Sequence, residues 1–286
     1  MTSITCIGAS HWDTIAQATH PIRPSDDVPG QVVRRPGGVA YNIARALAAR
    51  RLKVQLLTAV GADADGDILI NEAQLAGIDM RHAARLNHTT DQYVAIEGIS
   101  GDLFGAVADA RCLEQAGMRL FDGVMEKGLG GIVLLDSNLT LSTLDTLVSS
   151  PLLRRADVRL VSASPAKVTR FMGLLTQTSP MIYANLAEAN ALLPGTYREA
   201  TAAALALCDM GARAALVTHG AGEAAYADGG RVIAASPPPV RGGVTGAGDA
   251  LIAGHVAAQI DGRADWDALN AGLRAAANHI SGSRPA

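Results

Sequence analysis

The chain has 286 residues, 49% of them hydrophobic and 3% aromatic, with a formal net charge of −3. That length suits one large α/β domain, or one with a small appendage, and supplies ample apolar material for a core. The slight acidity excludes nucleic-acid binding by bulk electrostatics, so a small-molecule partner is expected. Cys6, Cys112 and Cys208 are odd in number, widely spaced and without a CxxC pair, which indicates neither a disulfide framework nor a zinc site. Cys6 and Cys208 read as small core residues. Residues 1–8 carry no basic region or long apolar core, so no signal peptide is read and the cytoplasm is the expected compartment. No apolar run approaches about 18 residues, and no membrane span is expected.

Ile4–Ile7 is short and apolar and ends in Gly8, as a buried strand does. Asp13 follows near its carboxyl end, where open α/β sheets bind ligands. Prolines at 21, 24, 29 and 36 make the next stretch read as irregular strands outside the main core. Pro36-Gly37-Gly38 then opens a helix with Val39, Ile43, Ala46 and Leu47 at apolar spacing and Asn42 one turn inside. Such a Gly-Gly lets a ligand touch backbone, and the amide can donate and accept as polyol recognition needs. A plain turn followed by a capping-region Asn fits equally.

Residues 54–60 read as a second strand and 61–76 as loop and helix. The segments 93–96 and 103–107 flank a turn at 98–102 and predict a hairpin, which pairs with the Pro-rich segment as a small lid sheet. From residue 117 the alternation is regular. Helices are expected at 117–126, 140–149, 165–175, 186–192 and 197–210, with strands at 132–136, 158–162, 180–184 and 214–218. Repeated βα units imply a mostly parallel, three-layer sheet, completed by strands near 223–227 and 231–235 and two last helices.

The richest stretch is residues 243–250, Gly-Val-Thr-Gly-Ala-Gly-Asp-Ala, opening a helix. Small residues Gly246, Ala247 and Gly248 let unpaired N–H groups crowd an anion. Asp249 falls in the first turn, where the helix field is expected to lower its pKa and leave a weak base suited to phosphoryl transfer. A glycine turn with an acidic cap is the plainer alternative. Asn185 and Glu188, three apart at a helix start, can hold a hydrated Mg²⁺ through water, although the spacing is common by chance. Thr218, His219 and Gly220 follow another strand and suit an adenosine or phosphate site.

Other patterns are discounted. Residues 128–131 precede their strand, so they are no dinucleotide fingerprint, and no GxxxxGK is present. His20, His82, His88, His255 and His279 lack ligand spacing, and Arg34-Arg35 reads as a solvated pair. Asp63, Asp65 and Asp67 resemble part of a calcium loop, but Gln74 stands at the twelfth position.

Together, Gly37-Gly38 with Asn42, Asn185 with Glu188, and Thr245 to Asp249 resemble the PfkB carbohydrate kinase family, also called the ribokinase family, in kind, order and spacing over nearly the whole chain. The resemblance implies a ribokinase-like three-layer α/β/α sandwich, one domain over 1–286 with lid segments near 13–36 and 91–108. It also implies ATP and Mg²⁺ dependence, often with a monovalent cation such as K⁺, and phosphorylation of a primary hydroxyl. Within the family the chain looks most similar to pseudouridine kinases, through Pro29-Gly30, residues 37–44, Tyr93, residues 101–103 and 136–139, Ser164 with Lys167, and residues 244–250.

By that resemblance Asp249 activates the 5′-hydroxyl of the nucleoside, and Gly246, Ala247 and Gly248 form the anion hole. Asn185 and Glu188 organise Mg²⁺ and phosphates, Thr218, Gly220 and Asn278 touch ATP, and Asp13, Gly38 and Asn42 hold ribose hydroxyls. His11 and Tyr41, with the lid, would read the base, and Lys167 is a further substrate-binding residue. Tyr41 stands where those kinases usually carry Arg, His11 where Asn is common, and Gly243 where an aspartate often stands. The rivals are another sugar or purine nucleoside kinase of this family and a catalytically silent binding protein on the same scaffold. Open lid edges invite a second lid, so a homodimer is expected.

Overall fold

Successive side chains of a strand point to opposite faces, so the continuous apolar runs at 132–135 and 214–217 need cover on both sides. The protein is described by a computed structural model covering residues 2–242 and 245–282. β1 (Ile4–Ile7) enters the centre of the body, β2 (His11–Ala18) and β3 (Gly30–Gly37) leave it, and α1 (Val39–Ala48) returns. β4 (Val54–Leu57), β5 (Ala59–Gly61), α2 (Ala64–Leu75), β6 (Ile78–Asp79) and β7 (Ala84–Leu86) lead to β8 (Gln92–Glu97) and β9 (Leu103–Asp109). Next come α3 (Arg111–Ala116), β10 (Gly130–Asp136), α4 (Leu141–Ser149), β11 (Arg155–Val161), α5 (Pro165–Val168), α6 (Met172–Thr178) and β12 (Met181–Asn185). The chain continues with α7 (Leu186–Leu192), α8 (Ala200–Asp209), β13 (Ala214–Thr218), β14 (Ala224–Asp228), β15 (Arg231–Ala235), α9 (Ala247–Ile260) and α10 (Asp265–Ile280).

A nine-stranded sheet runs β15-β14-β13-β12-β11-β10-β1-β4-β6, parallel except at β13-β14 and β14-β15. Ile7, Val133, Leu135 and Ile182 point into one apolar cluster with α3 to α8. Cys6, Ile132, Leu134 and Met181 point into the other, with α1, α9 and α10. α9 and α10 approach closely because a Cβ on Gly254 would lie 2.7 Å from that of Ala275, and one on Gly272 2.9 Å from the Leu251 carbonyl. This pins the helix that carries Asp249. The lid is a separate sheet, β3-β2-β8-β9.

Several elements differ from expectation. The 54–60 strand divides: β4 joins the body sheet and β5 pairs with β7, because buried Thr58 turns its Oγ1 onto the Gly8 carbonyl at 2.7 Å. The helix expected at 117–126 instead starts at Arg111, where the Asp91 carboxylate accepts from Cys112 and Leu113 N–H at 2.7 and 3.0 Å. Gly117, with φ +50°, ends it, and a 3₁₀ turn follows at Gly117–Phe121. The 165–175 helix is α5 and α6 joined by a 3₁₀ turn. All three cysteines are free, and among the described residues no helix is long and apolar enough to cross a membrane.

Candidate active site

The carboxyl ends of β1, β10, β12 and β13 meet the start of α9, so residues 245–250 face the sheet edge. Gly246 is the N-cap of α9 with φ +83°, a left-handed conformation that favours glycine. The first intrahelical bond runs from Ala250 N–H to the Gly246 carbonyl, which leaves earlier N–H groups free of helical partners. A Cβ on Gly248 would meet nothing within 4 Å, so this backbone faces open space. The turn is held by His279, whose Nε2 lies 2.9 Å from the Thr245 carbonyl.

Asp249 Oδ2 accepts from Asn42 Nδ2 at 2.9 Å, joining α1 to α9 across 207 residues of sequence. The expectation for its pKa is overturned. Burial pushes it up to about 7, opposed by the Asn42 bond and reinforced by the carboxylates of Asp136, Asp13 and Glu188. Desolvation outweighs the helix field. At neutral pH the group is therefore poised as a base rather than a weak one.

Asp13 is 9% exposed and lies on the lid strand β2. Gly37 is required beside it, since a Cβ there would sit 2.2 Å from its carboxylate. Gly38, with φ +100°, would place a Cβ 2.4 Å from the Ala9 carbonyl. The Gly-Gly pair thus packs backbone against both the acidic residue and the end of β1. His11 Nδ1 stands 3.0 Å from Asp13 Oδ1, an ion-pair distance that falls outside hydrogen-bond geometry.

Three cavities lie along the start of α9. The largest, about 590 Å³, is lined by Thr218, Gly220, Pro238, Gly248, Leu251 and Ala277 among others. A second, about 470 Å³, shares Thr218, Gly220 and Gly248 and adds Asn185, Glu188 and Asp249. A third, about 130 Å³, lies on the lid side and contains Asp13, Asn42, Gly246 and Asp249. Asp249 is common to the second and third.

Asn185 and Glu188 are first of all a capping box: Glu188 N–H donates to Asn185 Oδ1 at 2.9 Å, and Asn185 N–H to Glu188 Oε2 at 2.8 Å. Burial raises the Glu188 pKa, opposed by the Asn185 N–H and the nearby Ser162 hydroxyl. Among the described residues no group of three acidic or His/Cys ligands forms a metal cage. One carboxylate and one amide beside a cavity match the way Mg²⁺ is held through water and phosphate oxygens.

Five expected residues, His11, Gly38, Tyr41, Lys167 and Asn278, line none of these cavities. Tyr41 is 2% exposed and belongs to the core face of α1 with Ile43, Ala44 and Leu47, because its helical phase turns it toward the sheet. Lys167 is tied through Nζ to Asn138 Oδ1 at 2.6 Å and lines none of the three. Asn278 is exposed, since the inward face of α10 is Leu273, Ala276, Ala277 and Ile280. Gly243 and Val244 lie outside the described residues.

Other residues matter more than their sequence context suggests. Asp136 is 1% exposed and accepts from Ala9 N–H at 2.8 Å, Ala40 N–H at 3.1 Å and Asn138 N–H at 2.9 Å, stapling β1, β10 and α1 together. Its only sequence signal was its place in a resembling segment. Arg34 is exposed, as expected of a solvated arginine, yet it is not free: it bonds Asp65 and stacks 4.4 Å above the Trp12 ring. Asp63 caps α2 through Gly66 N–H, and Asp67 pairs with Arg85, which accounts for the acidic triplet without calcium.

The whole chain superposes on a carbohydrate kinase from Agrobacterium tumefaciens with a TM-score of 0.81 and 28% identity, covering 97% of this chain and 90% of that one. The fold is ribokinase-like: a Thermotoga maritima ribokinase superposes with a TM-score of 0.82 at 20% identity, over 98% of this chain and 93% of that one. In sequence the chain is similar to the uncharacterized sugar kinase YeiI of Escherichia coli, 32% identical over 49% of this chain and 39% of that protein. It is also similar to the pseudouridine kinase of the same organism, 28% identical over 37% of this chain and 34% of that one. The chain thus aligns with well under half the length of each of these two relatives. A model of the pfkB family carbohydrate kinases matches residues 1–118 and 129–284, and the chain belongs to that family.

Proposed function

We propose that this protein is an ATP- and Mg²⁺-dependent cytoplasmic kinase that phosphorylates the 5′-hydroxyl of pseudouridine. The observation that carries the kinase reading is the Asn42–Asp249 pair at the N-terminus of α9, where the 470 Å³ cavity meets the small lid-side one. Pseudouridine as acceptor is supported by the motifs quoted above and by the partial similarity to a pseudouridine kinase.

In this reading the nucleotide occupies the 590 and 470 Å³ cavities, with its apolar ring against Leu251 and Ala277 and its phosphates toward Gly248. Mg²⁺, held near Glu188 and Asn185, supplies charge neutralisation on those phosphates. Asp13 and Asn42 orient the acceptor, and Asp249 takes its proton. The N–H groups at 246–248 hold the charge that builds on the transferred oxygens. Lid approach excludes water. Cations beyond Mg²⁺ are tested by exchanging K⁺ for Na⁺ in the same assay.

A sugar or purine nucleoside acceptor is the second reading, favoured by the sugar-kinase relative and by the burial of Tyr41 away from the cavities. The deciding experiment is ADP release with pseudouridine, uridine, ribose, fructose, inosine and adenosine presented separately. Preference for pseudouridine supports the proposal; preference for a sugar or purine nucleoside replaces the acceptor and keeps the chemistry. ATP binding without transfer to any acceptor would sink both in favour of a silent scaffold. Exposed Val32, Leu103 and Val107 on the lid's outer strands support a homodimer that covers those edges. Sedimentation at micromolar concentration checks it, and a monomer would refute it.

A further inference from the structure

Arg35 and Arg45 stand on the acceptor side of Asp249, lining the same small cavity as Asp13, Asn42 and Gly246. Arg35 lies on β3 directly across from Asp13, so both side chains leave the same face of the lid. Arg45 lies on α1, three residues after Asn42 and on the same side of the helix. Neither arginine forms an ion pair with a carboxylate among the described residues, whereas the adjacent Arg34 is paired with Asp65. Two arginines thus line the cavity that reaches the base, neither of them ion-paired with a carboxylate among the described residues.

We propose that Arg35 and Arg45 bind the oxygens of the phosphoryl group as it arrives at the acceptor, and then hold the product's phosphate. This rests on the kinase reading, whatever the acceptor. In the step, the acceptor oxygen bonds to the γ-phosphorus and the bond from that phosphorus to the bridging oxygen of ADP breaks. Its electron pair leaves on ADP, and the hydroxyl proton passes to Asp249. Charge spreads over the transferred oxygens, and the N–H groups at the start of α9 meet them along one side. The arginines supply the opposite wall, with donors whose fork matches phosphate oxygens. Because β2 and β3 are paired, one lid movement delivers Asp13 to the acceptor and Arg35 to the phosphoryl group.

The test compares Arg35→Ala, Arg45→Ala, the double variant and Arg35→Lys. Both side chains are exposed, so thermal denaturation should be unchanged. Binding is measured by calorimetry for paired ligands: pseudouridine with its 5′-phosphate, ribose with ribose 5-phosphate, and fructose with fructose 6-phosphate. For whichever pair binds, the double variant should lose about 10-fold or more in affinity for the phosphorylated member and less than about twofold for the neutral one. Turnover should fall roughly 10- to 100-fold with little change in the KM of the neutral acceptor, and Arg35→Lys should keep part of it. Which pair binds reports on the acceptor; the difference within the pair reports on the arginines. Equal losses for both members, or none, would overturn the proposal. So would a wild type that phosphorylates an already phosphorylated sugar while the variants raise only that sugar's KM, which would assign the arginines to the acceptor's own anion.

Discussion

The two sides of Asp249 are made of different material. On the donor side the cavities are walled mainly by backbone and apolar groups, with Gly248, Leu251, Gly220 and Pro238 among them, and the polar side chains there include the Asn185–Glu188 cap. These are fixed to a nine-stranded sheet and a closely packed helix pair. On the acceptor side a cavity of about 130 Å³ is walled by polar and charged side chains, with Asp13 and Arg35 supplied by the lid. The lid is thin, and Val32, Val94, Ile96 and Val107 on its outer face are all exposed. A preformed donor site beside an unfinished acceptor site suits a kinase in which nucleotide binding needs little rearrangement and acceptor binding completes the walls.

The largest expected effect lies at the junction. Asp249→Asn keeps the size of the side chain and an acceptor for Asn42, yet removes the base. Turnover should fall by roughly 10² to 10⁴-fold while ligands still bind. Wild-type-like turnover would remove Asp249 from its role. In the wild type, kcat/KM of the free enzyme should rise as pH passes through about 7, as the carboxyl ionises. A profile flat from pH 5 to 9, about the range of His and raised carboxyl titrations, would contradict the burial argument.

Next in size is a change confined to the donor side. Gly248→Ala adds a methyl where nothing lies within 4 Å, so the fold has room for it, and Ala favours a helix by about 0.5–1 kcal/mol over Gly. The Tm should hold or rise slightly, while the KM for ATP should increase about 10-fold if phosphate needs that space. Unchanged ATP kinetics would place the phosphates elsewhere.

The same contrast explains what could be read from the chain without coordinates. The body's strands and the Thr245–Asp249 turn are local patterns, set by apolar runs and glycines close in sequence. Capping Asn185 with Glu188 is also local, although the spacing alone did not distinguish a helix cap from a metal ligand pair; the structure shows the cap. The acceptor side is assembled from segments far apart, so Arg35, Arg45 and His279 carried no signal, and Tyr41 was misplaced because one helical position decides between core and cavity. The direction of the Asp249 shift failed for a related reason. The helix field is legible in sequence, whereas the burial and the carboxylates of Asp136, Asp13 and Glu188 arrive from elsewhere in the fold.

His279 offers a smaller perturbation that links the two sides. Its Nε2 holds the Thr245 carbonyl at 2.9 Å, and a Cβ on Gly246 would lie 3.0 Å from the same nitrogen. His279→Ala should loosen the turn and lower turnover about 10-fold with little change in either KM, since only preorganised N–H groups are worth their full effect. His279→Gln can place an amide N–H near the same point and should recover most of the loss. Equal damage from both variants would point to packing rather than to this hydrogen bond.

The smallest expected effect is on stability, and it isolates the burial of Asp249 from its chemistry. A carboxyl raised to about 7 in the fold and near 4 when unfolded favours the native state below about pH 4, and that contribution is lost as pH rises through about 7. Asp249→Asn has no such loss. The variant should therefore gain on the wild type as pH rises from about 4 to 7, with the gap constant above that. After discounting for the solvent that reaches this half-buried group, the gap amounts to roughly 1–2 kcal/mol, a few degrees in Tm for a domain of this size. Titrations shared by both proteins cancel in the difference, so thermal denaturation of the pair at pH 5 and pH 8 suffices. A gap that shrinks between those two values would mean that Asp249 is stabilised as a carboxylate in the fold, and that the helix field wins after all.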